Sequence, residues 1–229
     1  MQIDVLADAN AVAQQAAATI AQAARETVAA QGSFVMAVSG GRTPWQMLRA
    51  LANEDVPWNA VQIVQVDERI APAGDPDRNL THLHASLLEH VPLRMQQIHA
   101  MPVEAAELDV AAGQYSNTLR ELCGSPPVID LVHLGLGPDG HTASLVPGDP
   151  VLKVVDADVA LTGMYQGRRR MTLTYPIVNR ARRILWLVTG ADKAGPLVEL
   201  RAGDAAIPAG RVNQANASVL ADQAAAAQL

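Results

Sequence analysis

Cysteine is almost absent from this chain of 229 residues: Cys123 is the only one. That excludes an intramolecular disulfide and a cysteine-rich zinc site, and it is compatible with a reducing compartment. Lysine is nearly as scarce, with Lys153 and Lys193 the two lysines among 17 basic residues, and the formal net charge is −6. An acidic chain of this kind is not expected to bind nucleic acid or an anionic membrane, although a local basic pocket can coexist with an acidic whole. The N-terminus has no basic start followed by an apolar core, and no run approaches the roughly 20 apolar residues of a membrane span. A cytoplasmic protein is expected. Also missing are the G-x-x-x-x-G-K-[ST] loop of nucleotide phosphate binding and the H-E-x-x-H pair of zinc hydrolases. His82 and His84 are two residues apart, which on a helix puts them on different faces, so no metal is expected.

Hydrophobic residues make up 49% of the chain, enough for one sizeable core, and a single domain over residues 1–229 is expected. Helical and strand-like segments alternate. Residues 8–31 are Ala-rich and helical; SFVMAV (33–38) is an apolar strand. Thr43 is expected to cap a helix with Pro44 in its first turn, running to about Asn53. Strands are expected at Val61–Val66, Val128–Leu134, Val154–Leu161, Met171–Thr174 and Ile184–Val188. Helices are expected at Asn79–His90, Ala105–Leu122 and Asp192–Leu200, and an Ala-rich tail or terminal helix closes the chain. The first strand falls at about residue 33. The pattern predicts an α/β fold, a Rossmann-like, mostly parallel sheet flanked by helices.

Four strands end in polar or glycine-containing loops: SGGRTP (39–44), DERIAPAGDPDRN (67–79), GLGPDGHTAS (135–144) and TGADKAG (189–195). In a parallel sheet such loops gather along the carboxyl edge, which supplies one pocket with an anion cradle, acids, a base and cations.

Ser39-Gly40-Gly41 with Thr43 at a helix start offers free amides and a positive dipole end to a phosphate. The same glycines also suit a purely structural turn, and AVSGG misses the G-x-S-x-G serine elbow at its first glycine only. A triad is disfavoured, because Asp139 and His141 are two residues apart, an awkward spacing for a base and its orienting acid. Gly135, Gly137 and Gly140 match G-x-G-x-x-G, but Pro138, Pro147 and Pro150 disfavour a dinucleotide fold. Asp-Gly turn chemistry at 139–140 instead presents His141 outward as a candidate base. His133, inside its strand, is expected to pack or hydrogen-bond. Of Arg168, Arg169 and Arg170, only an alternating position faces a pocket, and Arg170 is the candidate. Lys193, in the last loop, either grips a phosphate or supports its helix.

Taken together, SGGRTP, VDERIAP with DRN, GLGPDGHTASLVP, RMTLTYPIVN and VTGADKAG span most of the chain. In this combination and order the chain resembles the 6-phosphogluconolactonases of the glucosamine-6-phosphate isomerase/6-phosphogluconolactonase family. It departs from the family at Val146, where Phe is usual, and at Arg78-Asn79, where Ser-Asn is frequent. The related deaminases continue after Asp-Gly-His with Ile-Ala-Phe, where this chain has Thr142-Ala143-Ser144, and lack of their loop acid disfavours a deaminase. A non-catalytic sugar-phosphate sensor is disfavoured by the absence of a helix-turn-helix-sized extension.

The resemblance implies a glucosamine-6-phosphate deaminase-like, CoA-transferase-like fold. It implies hydrolysis of 6-phospho-D-glucono-1,5-lactone, a step of the oxidative pentose phosphate pathway, with a sugar phosphate as substrate and no cofactor. His141 is the implied base. Asp139 either orients the imidazole or makes the turn, and Asp67 orients water or a sugar hydroxyl. Arg69, Arg170 and Lys193, with the Gly40, Gly41 and Thr43 amides, form the implied phosphate clamp, Arg69 serving either the phosphate or the oxyanion. Ser39, Arg42, Asn79 and Gly137 complete the implied substrate-binding set.

Overall fold

Helix α1 (Ala9–Gln31) has start and stop signals that explain its length. Asp8 accepts from the Ala11 amide at 2.8 Å, and Gly32, at φ 84°, turns its N–H back to the Val28 carbonyl. The computed structural model describes residues 1–229. The remaining helices are α2 (Arg42–Leu51), α3 (Asn79–Ser86), α4 (Leu108–Cys123), α5 (Tyr175–Arg180) and α6 (Ala194–Ala202). The strands are β1 (Gln2–Leu6), β2 (Phe34–Val38), β3 (Val61–Gln65), β4 (Asp67–Arg69), β5 (Ile98–His99), β6 (Leu131–Gly135), β7 (Val159–Leu161), β8 (Arg170–Leu173), β9 (Ile184–Val188) and β10 (Ala217–Asp222).

Seven strands form a parallel sheet in the order β1-β10-β9-β6-β2-β3-β5. The interior strands β2 and β9 are continuous apolar runs because helices cover both faces. Successive residues divide between two cores. Phe34, Met36 and Val38 join Leu185 and Leu187 beneath α1 and α2, while Val35 and Ala37 join Ile184, Trp186 and Val188 beneath α4, α5 and α6. One register slip would exchange the two sets, so the packing specifies the register. A second sheet, antiparallel in the order β4-β8-β7, flanks the carboxyl edge of the first. No helix is long and apolar enough to cross a membrane.

Several expectations are corrected. The first strand is β1, not a segment at residue 33, and it pairs with β10, which occupies part of the expected Ala-rich tail. β10 is an interior strand; its neighbours are far away in sequence, so local composition hides it. The expected strand at 154–161 shrinks to β7, and a 3₁₀ turn over Pro150–Lys153 precedes it. Helix α3 stops at Ser86 and a separate 3₁₀ turn covers Leu88–His90. Gly41, at φ 131°, rather than Thr43, stands at the α2 N-cap. The Thr43 hydroxyl instead meets that of Thr189 at 2.6 Å, tying the first loop to the end of β9. The DER segment is not part of a loop after β3 but the separate strand β4.

Candidate active site

The ends of β2, β6 and β9, together with β4, the start of α3 and β8, enclose one cleft of about 430 Å³. Its lining includes Ser39, Gly40, Gly41, Arg42, Thr43, Asp67, Arg69, Asn79, Gly137, His141, Arg170 and Lys193, together with Asp192 and Thr189. Of these, all but Asp192 and Thr189 are candidate site residues. The remaining candidate, Asp139, stands behind His141.

At one end of the cleft is the glycine turn after β6. Gly140 takes φ 76° and its amide meets the Gly137 carbonyl at 3.0 Å. The turn brings the Asp139 carboxylate back to His141, with Oδ1 2.5 Å from Nδ1 and 3.2 Å from the His141 amide. The spacing expected to be awkward is therefore workable, because a left-handed glycine between the two residues folds the carboxylate onto the ring. Partial burial pushes Asp139 upward, but the His141 ring and amide and the Tyr165 hydroxyl outweigh it and hold the carboxyl below its ordinary value. With Nδ1 engaged, Nε2 is the nitrogen left to meet a ligand. The ring lies where a Cβ on Gly137 would be, 2.0 Å from Nδ1, so any side chain there would have to displace it.

Asp67 is 4% exposed. Its Oδ2 accepts from the Ser144 hydroxyl at 2.5 Å, and its Oδ1 from the Asn79 side-chain Nδ2 at 3.2 Å. A Cβ on Gly40 would fall 1.9 Å from Asn79 Oδ1, so the first loop approaches Asn79 as closely as backbone allows. Glu68, wholly buried, accepts from the Asn79 and Leu80 amides that open α3, and pairs with Arg78 at 3.2 Å. The departure Arg78-Asn79 thus has a structural use.

At the other end are cations. Arg69 and Arg170 pair in register on β4 and β8, and the Nε atoms of both are buried without a hydrogen-bond partner, as is Asn79 Oδ1. Helix α2 has no side-chain cap, so its first-turn amides remain available at a positive dipole end. Lys193 lines the cleft but is paired with Asp192 at 2.7 Å; the lysine in turn holds the Asp192 carboxyl below its ordinary value.

The Ser39 hydroxyl lies 3.0 Å from Nδ1 of His133. This is no nucleophile and base: burial pushes His133 down to about 3, and its Nε2 has no partner and so no orienting acid. Arg168 points away from the cleft to Asp75 and Asp77. His82 stacks on Trp45 with ring centroids 3.9 Å apart. No group of three or more His, Cys, Asp or Glu side chains is arranged to hold a metal ion. Sequence reading missed Tyr165, whose hydroxyl reaches Asp139 and which lies in no motif; Ser144 and Asp192 lie within the GLGPDGHTAS and TGADKAG loops but were not singled out as site residues.

The fold and its sequence have close counterparts. The 6-phosphogluconolactonase of Synechocystis sp. is 36% identical over 208 residues, covering 89% of this chain and 86% of that protein. The 6-phosphogluconolactonase structure from Trypanosoma brucei superposes with a TM-score of 0.87 at 27% identity, over 100% of this chain and 98% of that one. A monomeric glucosamine-6-phosphate deaminase shares the fold at a TM-score of 0.87 and 19% identity, over the full length of both chains. The family described as glucosamine-6-phosphate isomerases/6-phosphogluconolactonase matches residues 7–221, and the chain belongs to it.

Proposed function

We propose that this chain hydrolyses 6-phospho-D-glucono-1,5-lactone to 6-phospho-D-gluconate, with His141 as general base and no step assigned to a metal. One observation carries the reading: a carboxylate-backed imidazole and two arginines, Arg170 buried and Arg69 half-buried, line the same cleft. A lactone is an activated ester, so a base acting on water and a group to receive the oxyanion suffice. In the proposed step, Nε2 of His141 takes a proton from water as its oxygen bonds to C1. The ring C1–O5 bond then breaks, and the same proton passes to O5. Asp139, held as a carboxylate, keeps the ring oriented and stabilises the imidazolium. Asp67, fixed by Ser144 and Asn79, orients the water or a sugar hydroxyl. Arg170, Arg69 and the amides of Gly40, Gly41 and Thr43 hold the phosphate, with Arg42, Ser39 and Gly137 shaping the walls and Lys193 at the rim.

The test is acid release from lactone generated in situ. Wild type should turn it over, and His141→Ala should lose about 100- to 10,000-fold in kcat while still binding 6-phosphogluconate. Equal rates for the two proteins would remove His141 from the mechanism.

A further inference from the structure

Tyr165 lies at the start of a tight hairpin between β7 and β8. Its amide and carbonyl exchange hydrogen bonds with those of Arg168 at 3.0 and 3.2 Å. Gln166 and Gly167 take φ of 51° and 79°, the successive positive values of a type I′ turn. The hairpin is anchored. Arg168 pairs with Asp75 at 3.0 Å and Asp77 at 2.8 Å, and the Asp77 carbonyl accepts from Arg69 at 2.6 Å. Gln166 Oε1 accepts from Arg170 Nη2 at 3.3 Å.

From this anchored turn the Tyr165 hydroxyl donates to Asp139 Oδ2 at 3.0 Å, while Oδ1 faces His141. Both oxygens of one partly exposed carboxylate are therefore engaged, which fixes its plane and with it the imidazole. The Tyr165 ring also meets that of His141 edge-on, with centroids 5.5 Å apart. The same ring has the Arg170 guanidinium over its face, 4.9 Å from its centroid. One side chain thus touches the machinery at both ends of the cleft without lining it.

We propose that Tyr165 is a positioning residue that couples the two ends of the site, its hydroxyl holding the Asp139–His141 pair and its ring bracing Arg170. This rests on the reading of His141 as base and Arg170 as phosphate ligand. Burial and the neighbouring Asp139 carboxylate both push the phenol upward, so it remains a donor across the working pH range.

The two contacts separate by substitution. Tyr165→Phe keeps the ring and should lower kcat about three- to tenfold with KM nearly unchanged. In an Asp139→Ala background the same change should have no further effect, since the hydroxyl acts through that carboxylate. Tyr165→Leu should in addition raise KM about fivefold for the phosphorylated lactone and leave KM for plain gluconolactone alone. Wild-type kcat in Tyr165→Phe, or an undiminished loss in the Asp139→Ala background, overturns the hydroxyl's role. Equal KM for Tyr165→Leu and Tyr165→Phe overturns the ring's role. A wild-type protein inactive on the lactone would defeat the proposed reaction instead. In that event, calorimetric titration with inorganic phosphate decides the ring's role, which requires weaker binding by Tyr165→Leu than by Tyr165→Phe, and equal binding overturns it.

Discussion

Arg69 and Arg170 stand opposite each other across the antiparallel β4–β8 pair. Like charges so placed oppose the fold. Burial pushes Arg170 down from its usual value, Asp67 pulls it back up, and Arg69 lowers it further. An anion placed between the two guanidiniums would relieve both the repulsion and the unpaired buried Nε atoms.

The first prediction concerns that pair. Arg170→Gln removes a charge-assisted contact, so KM for the phosphorylated lactone should rise about 10- to 100-fold. KM for plain gluconolactone should barely change, and inorganic phosphate should no longer raise Tm. Steady-state kinetics on both esters checks this; an equal rise for both would place Arg170 elsewhere on the substrate.

Gly137→Ala tests the close approach of the ring. The added methyl carbon would lie 2.0 Å from His141 Nδ1, so the imidazole must swing away from Asp139 toward solvent. A loss of about 100-fold in kcat is expected, with Tm little altered because the displaced group is the end of a side chain. Thermal melts alongside kinetics distinguish misplacement from unfolding, and wild-type turnover would show that the ring need not stay where it is.

Ser144→Ala removes the hydroxyl from Asp67 Oδ2. Ser144 is 0% exposed, so no bulk water replaces the lost donor, and stability should fall by about 1–3 kcal/mol. If Asp67 orients water, kcat falls about tenfold and KM little. Urea unfolding and kinetics measure the two effects; a drop in stability with kcat intact would make Asp67 structural.

His133 gives the chain a pH-dependent stability. Burial pushes it down to about 3 in the folded state, from an ordinary 6.5. The unfolded chain therefore takes up the proton first as pH falls, and the contribution, complete above 6.5, is lost progressively toward 3. Between pH 7 and pH 5 this amounts to about 2 kcal/mol. Denaturant unfolding of wild type and His133→Gln at the two pH values should show the steeper loss in wild type. Parallel slopes would mean that this imidazole is not held neutral.

Much of the site was legible in the sequence because its parts are local. The runs that became β2 and β9 are apolar at every position, and each is followed by a hydroxyl residue and glycine, Ser39-Gly40 and Thr189-Gly190. The Asp-Gly-His turn depends on three consecutive residues. Tyr165 was not legible: a hairpin 24 residues downstream carries it back to His141, and a lone tyrosine beside three arginines has no motif. Ser144 reaches Asp67 across 77 residues, with nothing in either segment to mark the pair. For Asp139 the sequence left two roles open, orienting the imidazole or making the turn; the left-handed Gly140 brings the carboxylate to the ring and so allows both.

By itself the sequence determined which residue types stand at the ends of which strands, because strand, turn and cap preferences are properties of short stretches. Tertiary structure alone decided strand order, the insertion of β10 between β1 and β9, and the partner of each buried charge. Those depend on pairings between distant segments, where a shift of one residue turns a side chain from the cleft to the core.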